Sequence, residues 1–231
     1  GALSPDSSRH LSSKNLVREL FSDWPPARVL DLGCGEGDSR AFFEATFEEA
    51  AWQGVDVADS PEVSRRSGTP PDVTTFDGIH IPHPSDTFDL VFCHQVLEHV
   101  RYPDALLADV VRVLAPGGWF VGAVSYLEPY HSHSLFNFTP YGAVLARLQL
   151  YPDRDALTLL GRSFAGRRLR RLSIWRRRPC FFLVDVLGRL LRLAPPERAL
   201  AKILASGSLT FAGVKPGSWL SPDERTAVQS I

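Results

Sequence analysis

A carboxylate followed by glycines at alternate positions, Asp31-Leu32-Gly33-Cys34-Gly35-Glu36-Gly37, is the run in this chain most suited to chemistry. Glycine removes Cβ atoms where an apolar run turns sharply, so a ligand can lie against bare backbone. The N–H groups of such a loop, with a helix start behind them, suit a carboxylate or phosphate. A dinucleotide loop would read G-x-G-x-x-G, whereas this one reads D-x-G-x-G-x-G. Asp31 at the end of the preceding run would repel a pyrophosphate and pair with an ammonium group. That argues against a nicotinamide oxidoreductase. Cys34, inside the loop, reads as a small filler rather than a nucleophile.

Further polar residues recur at the ends of apolar runs. Asp56-Val57 closes Trp52–Val57, Asp77-Gly78 follows Asp72–Phe76, and His94-Gln95 closes Phe88–His94. In an open α/β sheet the rim at the strand ends is where ligands meet the protein. Glu98-His99 comes next, and His131-Ser132-His133 lies in the segment 126–138 with Asn137 and, just beyond, Tyr141. His99, His131 and His133 are the candidates for a general base, since imidazole titrates closest to neutrality. The ordinary reading of Glu98 and His99 is that they pack against the glycine loop.

Regular elements must position these groups. Arg28–Leu32 is a short apolar run bounded by proline and glycine, as a buried parallel strand requires. A helix is expected over 38–50, with Asp38 and Ser39 as candidate caps. Strands are expected at Trp52–Val57, 72–76, Phe88–His94 and Trp119–Ser125. A helical pattern should run through Leu114, where Pro116-Gly117-Gly118 stops it. Thr139-Pro140 reads as a helix start, Leu169–Trp175 and Leu209–Val214 as late strands, and Phe181–Leu193 and Glu197–Leu204 as helices. Strands alternating with helices at this spacing imply βαβ units and a parallel sheet. One domain is expected over 1–231: an N-terminal helix or lid over 1–27, a ligand-binding half over 28–125, and an acceptor-binding half over 126–231.

Composition excludes several classes. The 231 residues are 44% hydrophobic and 22% charged with a net charge of −1, so no overall field draws the chain to nucleic acid or membrane. Cys34, Cys93 and Cys180 are scattered, which argues against a disulfide framework or a structural zinc site. With no signal peptide and no apolar run long enough to span a bilayer, a cytoplasmic protein is expected.

In order and spacing, residues 28–125 resemble the class I S-adenosylmethionine-dependent methyltransferases, in particular the type 11 group of small-molecule enzymes. Asp31–Gly37 is similar to the loop that holds the methionyl moiety, and Asp56 to the acid that takes both ribose hydroxyls. Asp77-Gly78 resembles the site that receives the adenine amino group. Phe88–Val91 through Leu97–Val100 is similar to the block that closes over the cofactor, and Leu114–Gly118 to the turn before the fifth strand. The resemblance implies a Rossmann-like fold with a mostly parallel seven-stranded sheet and helices on both faces. It implies S-adenosyl-L-methionine as cofactor, held by Asp31, Gly33, Cys34, Gly35, Gly37, Asp56, Val57, Asp77, Gly78, His94 and Gln95. The acceptor would be the oxygen or nitrogen of a small molecule (a sugar, natural product, quinone or lipid-like compound), in a monomer or homodimer. Gln95-Val96-Leu97-Glu98-His99 also resembles the metal-holding E-x-x-E-H run of the ubiquinone-pathway and small-RNA methyltransferases. A neutral amide stands at its first position, so no metal requirement is expected.

Residues 162–178 hold eight Arg (162, 167, 168, 170, 171, 176, 177 and 178) and no acid, with aromatic and aliphatic residues between them. Charge of this kind discourages pairing at an exposed sheet edge. The sharper alternative is a phosphate-binding face for a nucleotide-sugar, RNA or anionic lipid, which an RNA or protein methyltransferase could use. A cofactor-binding subunit without catalysis of its own is the third reading. Leu183, Val186, Leu187, Leu190 and Leu191 recur at helical spacing, as on an amphipathic helix that faces a core or dimer partner more often than it anchors to a membrane.

Overall fold

A computed structural model describes residues 11–59, 72–126, 134–135, 137–138, 149–155 and 179–216. The expected strands at 169–175, helix start at 139–140, His131, His133, Tyr141 and the Arg-rich segment lie outside them. The chain divides into two compact units, one of Lys14–Gly122 with Ala212–Ile231, the other of Gly1–Ser13 with Ala123–Phe211.

The first unit carries α1 (Ser13–Leu20), β1 (Arg28–Leu32), α2 (Arg40–Thr46), β2 (Ala51–Val57), β3 (Val73–Phe76), β4 (Phe88–His94), α3 (Pro103–Val113) and most of β5 (Leu114–Ser125). Its strands lie in the order β3-β2-β1-β4-β5. β1 pairs in parallel with both β2 and β4, and β2 with β3. This is the expected mostly parallel, Rossmann-like arrangement. β1 is buried after Arg28, and β4 is buried at Phe88 and from Leu90 to Cys93, because a parallel strand is covered on both faces. Phe43 from α2 meets Phe92 of β4 edge to face, with ring centroids 5.3 Å apart. Asp89 at the start of β4 accepts hydrogen bonds from the N–H groups of Ala27 and Arg28 at 2.9 and 2.8 Å, which fixes where β1 enters the sheet.

The second unit carries the end of β5, β6 (Gln149–Asp155), α4 (Pro179–Leu190), α5 (Pro195–Leu204) and most of β7 (Ser206–Val214). β7 lies between β5 and β6. Tyr126 N–H donates to the Gly207 carbonyl at 2.8 Å; in the first unit Gly117 N–H donates to Lys215 and Lys215 N–H to Gly118, each at 2.9 Å. Pairs whose numbers fall on one strand as they rise on the other mark β7 as antiparallel to β5.

Several boundaries depart from the sequence expectation. The helical pattern expected to run through Leu114 is interrupted: a single 3₁₀ turn spans Leu97–His99, and α3 starts only at Pro103, whose fixed φ suits the first helical position. β5 begins at Leu114, ahead of Pro116-Gly117-Gly118, rather than at Trp119. Gly117 takes φ +83°, and a Cβ on Gly118 would stand 2.9 Å from the Phe88 carbonyl, so the glycines let the strand pass close to β4. α2 is shorter than expected at both ends. β6 had no sequence signal: Gln149–Asp155 contains a proline and three charged residues.

Candidate functional site

The parallel register brings the ends of three strands together. Asp31 stands opposite Gly54 of β2 and Phe92 of β4. Beyond Leu32 the chain folds back over β2, with the N–H groups of Gly33 and Cys34 both donating to the Val55 carbonyl, at 2.8 and 3.2 Å. Gly37 N–H then closes onto the Cys34 carbonyl at 2.8 Å. Gly33, Gly35 and Gly37 take φ of +69°, +54° and +86°, a region that L side chains rarely adopt. The alternate glycines are therefore dictated by the backbone path itself.

Two of them have a second reason. A Cβ on Gly33 would meet Val96 at 2.5 Å, so Val96 also requires a bare backbone here. A Cβ on Gly37 would make ordinary contact with Trp52 at 3.9 Å. Cys34 is buried against β2, where a side chain on Gly54 would collide with its Sγ at 2.7 Å. This is the filler role expected of it.

The two strand-end acids do different work. Asp56 braces the loop: its Oδ2 accepts from Gly35 N–H at 2.6 Å and its Oδ1 from Val57 N–H at 2.7 Å. Asp31 is only 3% exposed, and burial pushes its carboxyl up to about 7. The Ser39 hydroxyl, which donates to Asp31 Oδ2, opposes the shift; the like charge of Asp56 adds to it, and the Lys14 ammonium of α1 reduces it. Ser39 stands at the N-cap position of α2 but makes no capping bond, because its hydroxyl is committed to Asp31. Lys14 and Ser39 are the functional candidates that sequence reasoning missed. The cap-like position of Ser39 was legible; the reach of Lys14 depends on how α1 packs.

Asp77 is turned onto its own turn. Oδ1 accepts from the N–H groups of Ile79 and His80 at 2.8 and 2.6 Å, and Oδ2 meets His80 Nδ1 at 2.7 Å. These bonds hold its carboxyl down to about 2, and the hydrogen bond to Asp77, with its charge, raises His80. Gly78 follows at φ +87°. At the end of β4 His94 lies parallel to Phe92 at 6.0 Å between centroids, and Gln95 adopts φ +59°. A non-glycine residue held in that region at a strand end is the kind of strain that collects at binding sites. Glu98 is fully buried and His99 is half-buried in the 3₁₀ turn, and Val96, just before that turn, packs against Gly33 of the loop. Among the described residues no three His, Cys, Asp or Glu side chains converge as metal ligands. Asn137 is exposed.

A loop of positive-φ glycines, one buried carboxylate raised by desolvation and a second carboxylate at the neighbouring strand end suit a small polar ligand with a cationic part. S-adenosylmethionine fits this donor set: its ammonium would relieve the buried charge of Asp31.

Residues 30–122 match the family model described as a methyltransferase domain. A trans-aconitate 2-methyltransferase from Methylobacterium nodulans is 36% identical over 93 residues, covering 40% of this chain and 36% of that one. A fatty-acid O-methyltransferase from Mycolicibacterium smegmatis is 35% identical over 101 residues, covering 41% of this chain and 35% of that one. The chain thus spans about a third of the length of each of these relatives. Among solved structures, phosphoethanolamine N-methyltransferase 2 from Haemonchus contortus, in complex with S-adenosyl-L-methionine, has a TM-score of 0.53 and 17% identity. That likeness covers 88% of this chain and 52% of that one, and it shows the fold.

Proposed function

We propose that this chain, with a class I methyltransferase domain at residues 30–122, transfers a methyl group from S-adenosylmethionine to an oxygen of a small carboxylic acid. The observation that carries the cofactor assignment is the pairing of the Asp31–Gly37 loop with Asp56, two carboxylates flanking a backbone whose positive φ angles favour glycine. In this reading Asp31 receives the ammonium of the methionyl part, Gly33–Gly37 lie under it, and Asp56 with Val57 takes the ribose hydroxyls. Asp77 and Gly78 meet the adenine, whose amino group competes with His80 for Asp77. His94 and Gln95 border the space next to the reacting centre. The cofactor supplies an electrophilic methyl group on a sulfonium.

The remaining task is to hold an acceptor in line, and positioning of this kind contributes about 7–11 kcal/mol at best. A carboxylate, ionised at neutral pH, needs no general base. Among the described residues His94 and His99 are the imidazoles nearest the end of β4. The names of the two relatives, which point to aconitate and to a fatty acid, support the same acceptor class. His131 and His133 enter only if the acceptor is a hydroxyl or an amine, where a base contributes about 10²–10⁴-fold.

The test is incubation with methyl-labelled cofactor and a panel of carboxylic acids, alcohols, amines and RNA. The expected product is an ester, whose label is released by alkali. Label in an alkali-stable ether, N-methyl product or RNA would replace the acceptor class, and binding without turnover on any acceptor would make the chain a cofactor-binding subunit.

A further inference from the structure

The indole of Trp52 lies across the floor of the β1 loop. On β2, Trp52, Gly54 and Asp56 alternate onto one face, and the parallel register sets Gly54 beside Asp31 of β1. A Cβ on Gly54 would stand 2.8 Å from the outer edge of the indole, and one on Gly37 would stand 3.9 Å from the same atom. The ring thus reaches over bare backbone at Gly54 to the loop. On its other side the Arg40 guanidinium sits 5.5 Å from the ring, tied in turn to Glu44 at 2.7 Å and Asp72 at 2.8 Å. A cation over the face of an indole is attracted by it, so the ring is held from both sides.

This placement leaves the indole N–H over. Trp52 is 7% exposed, and its Nε1 is buried without a hydrogen bond of ordinary geometry. Nearly all buried donors find a partner, so this one calls for a reason. Asp31 is the acceptor on which it acts. Burial is the largest influence on the Asp31 carboxyl and raises it; Ser39 opposes that, the Asp56 charge adds to it, and Lys14 and then the Trp52 N–H oppose it. From β4 the Cys93 thiol faces the same region and is kept neutral by its own burial, with the charges of Glu98 and Asp31 acting in the same direction. The two uncharged donors differ in kind. A hydroxyl can donate to a carboxylate or accept from a carboxylic acid, so Ser39 serves both forms of Asp31. An indole N–H only donates, and its bond to an ionised acceptor is about twice as strong as to a neutral one. Trp52 therefore discriminates between the two forms.

We propose that Trp52 is a positioning residue for cofactor binding: its indole N–H, laid over Gly54 beside Asp31, completes its hydrogen bond to the ionised carboxylate and so favours the form that receives a ligand ammonium. The proposal rests on the reading of Asp31 as the acceptor of the methionyl ammonium, and its test separates the two. Removing the donor with Trp52→Phe should move the Asp31 midpoint up by about one pH unit, the loss of one hydrogen bond to a charged group. Calorimetric affinity for S-adenosylmethionine should then fall about tenfold at pH 6 and by less than about twofold at pH 9, where Asp31 is ionised in both proteins. The ratio of the two affinities at each pH cancels the titration of the ligand's own amino group. If Trp52→Phe does not fold, replacement of Trp52 by its sulfur isostere, 3-benzothienylalanine, removes the donor and keeps the ring. A second readout needs no cofactor. In the unliganded protein the Trp52 indole ¹H–¹⁵N signal should titrate with a midpoint of about 7, and should stay fixed in Asp31→Asn. An affinity loss of equal size at both pH values overturns the proposal, as does an indole signal that does not titrate or that titrates equally in Asp31→Asn. A titrating indole in a chain that binds no S-adenosylmethionine would uphold the Trp52–Asp31 pairing and overturn the cofactor reading alone.

Discussion

Asp31 is held between two demands. Its folded-state carboxyl is raised to about 7 from 3.8, so folding favours the protonated form. Its contribution to stability is then fullest below about pH 4 and is lost as pH rises through about 7. A cationic ligand has the opposite preference and needs the carboxylate. Affinity for S-adenosylmethionine should therefore fall by up to about tenfold per pH unit below 7 and level off just above it. Asp31→Asn should remove that slope, weaken binding, and stabilise the unliganded protein at pH 8 by up to about 4 kcal/mol. Calorimetric titrations across this range, with urea unfolding of the unliganded pair, check both halves; a flat affinity profile in the unmodified protein would detach Asp31 from the ligand. For Asp56, substitution by Ala removes the acceptor of the Gly35 N–H as well as that proposed for the ribose. A loss of about 1–3 kcal/mol in cofactor affinity is expected. Unchanged affinity in the same titration would remove Asp56 from the site.

At the scale of elements, the turn from β1 toward α2 is held open by Val96, which arrives from beyond β4. Gly33→Ala should destabilise the fold by about 1–3 kcal/mol, through both a left-handed backbone and a collision at 2.5 Å. Trimming the neighbour with Val96→Ala should restore part of the loss in the doubly substituted protein, read by urea unfolding. An equal cost in both backgrounds would leave the backbone alone as the reason for glycine. The glycine spacing was legible in the sequence because positive φ leaves its mark on residue type; the role of Val96 was not, because a contact 63 positions away leaves no local trace. β1, β2 and β4 were legible as short apolar runs, since a strand covered on both faces has no reason to alternate. β6 was not, because Gln149–Asp155 owes its place to its neighbour in the sheet rather than to its own residue types. The break between the Leu97–His99 turn and α3 was marked by Pro103 but masked by a helical apolar pattern on either side.

For the molecule as a whole, the central claim is that the β1 loop binds S-adenosylmethionine. A ligand that binds only the folded state adds RT ln(1 + [L]/Kd), about 2.7 kcal/mol at a hundredfold excess over Kd. In a chain of this size each kcal/mol raises the melting temperature by about 2–4 °C. Gly35→Val should abolish the response while leaving the circular dichroism spectrum in place, because a β-branched residue is strained at φ +54° and would stand in the ligand's space. The most direct measurement is isothermal titration of the unmodified chain and of Gly35→Val with S-adenosylmethionine, and of the unmodified chain with NAD. Saturable one-to-one binding of S-adenosylmethionine that is lost in Gly35→Val, with no heat from NAD, is the predicted result. Binding of NAD in its place, no binding of S-adenosylmethionine, or undiminished binding by Gly35→Val would contradict it.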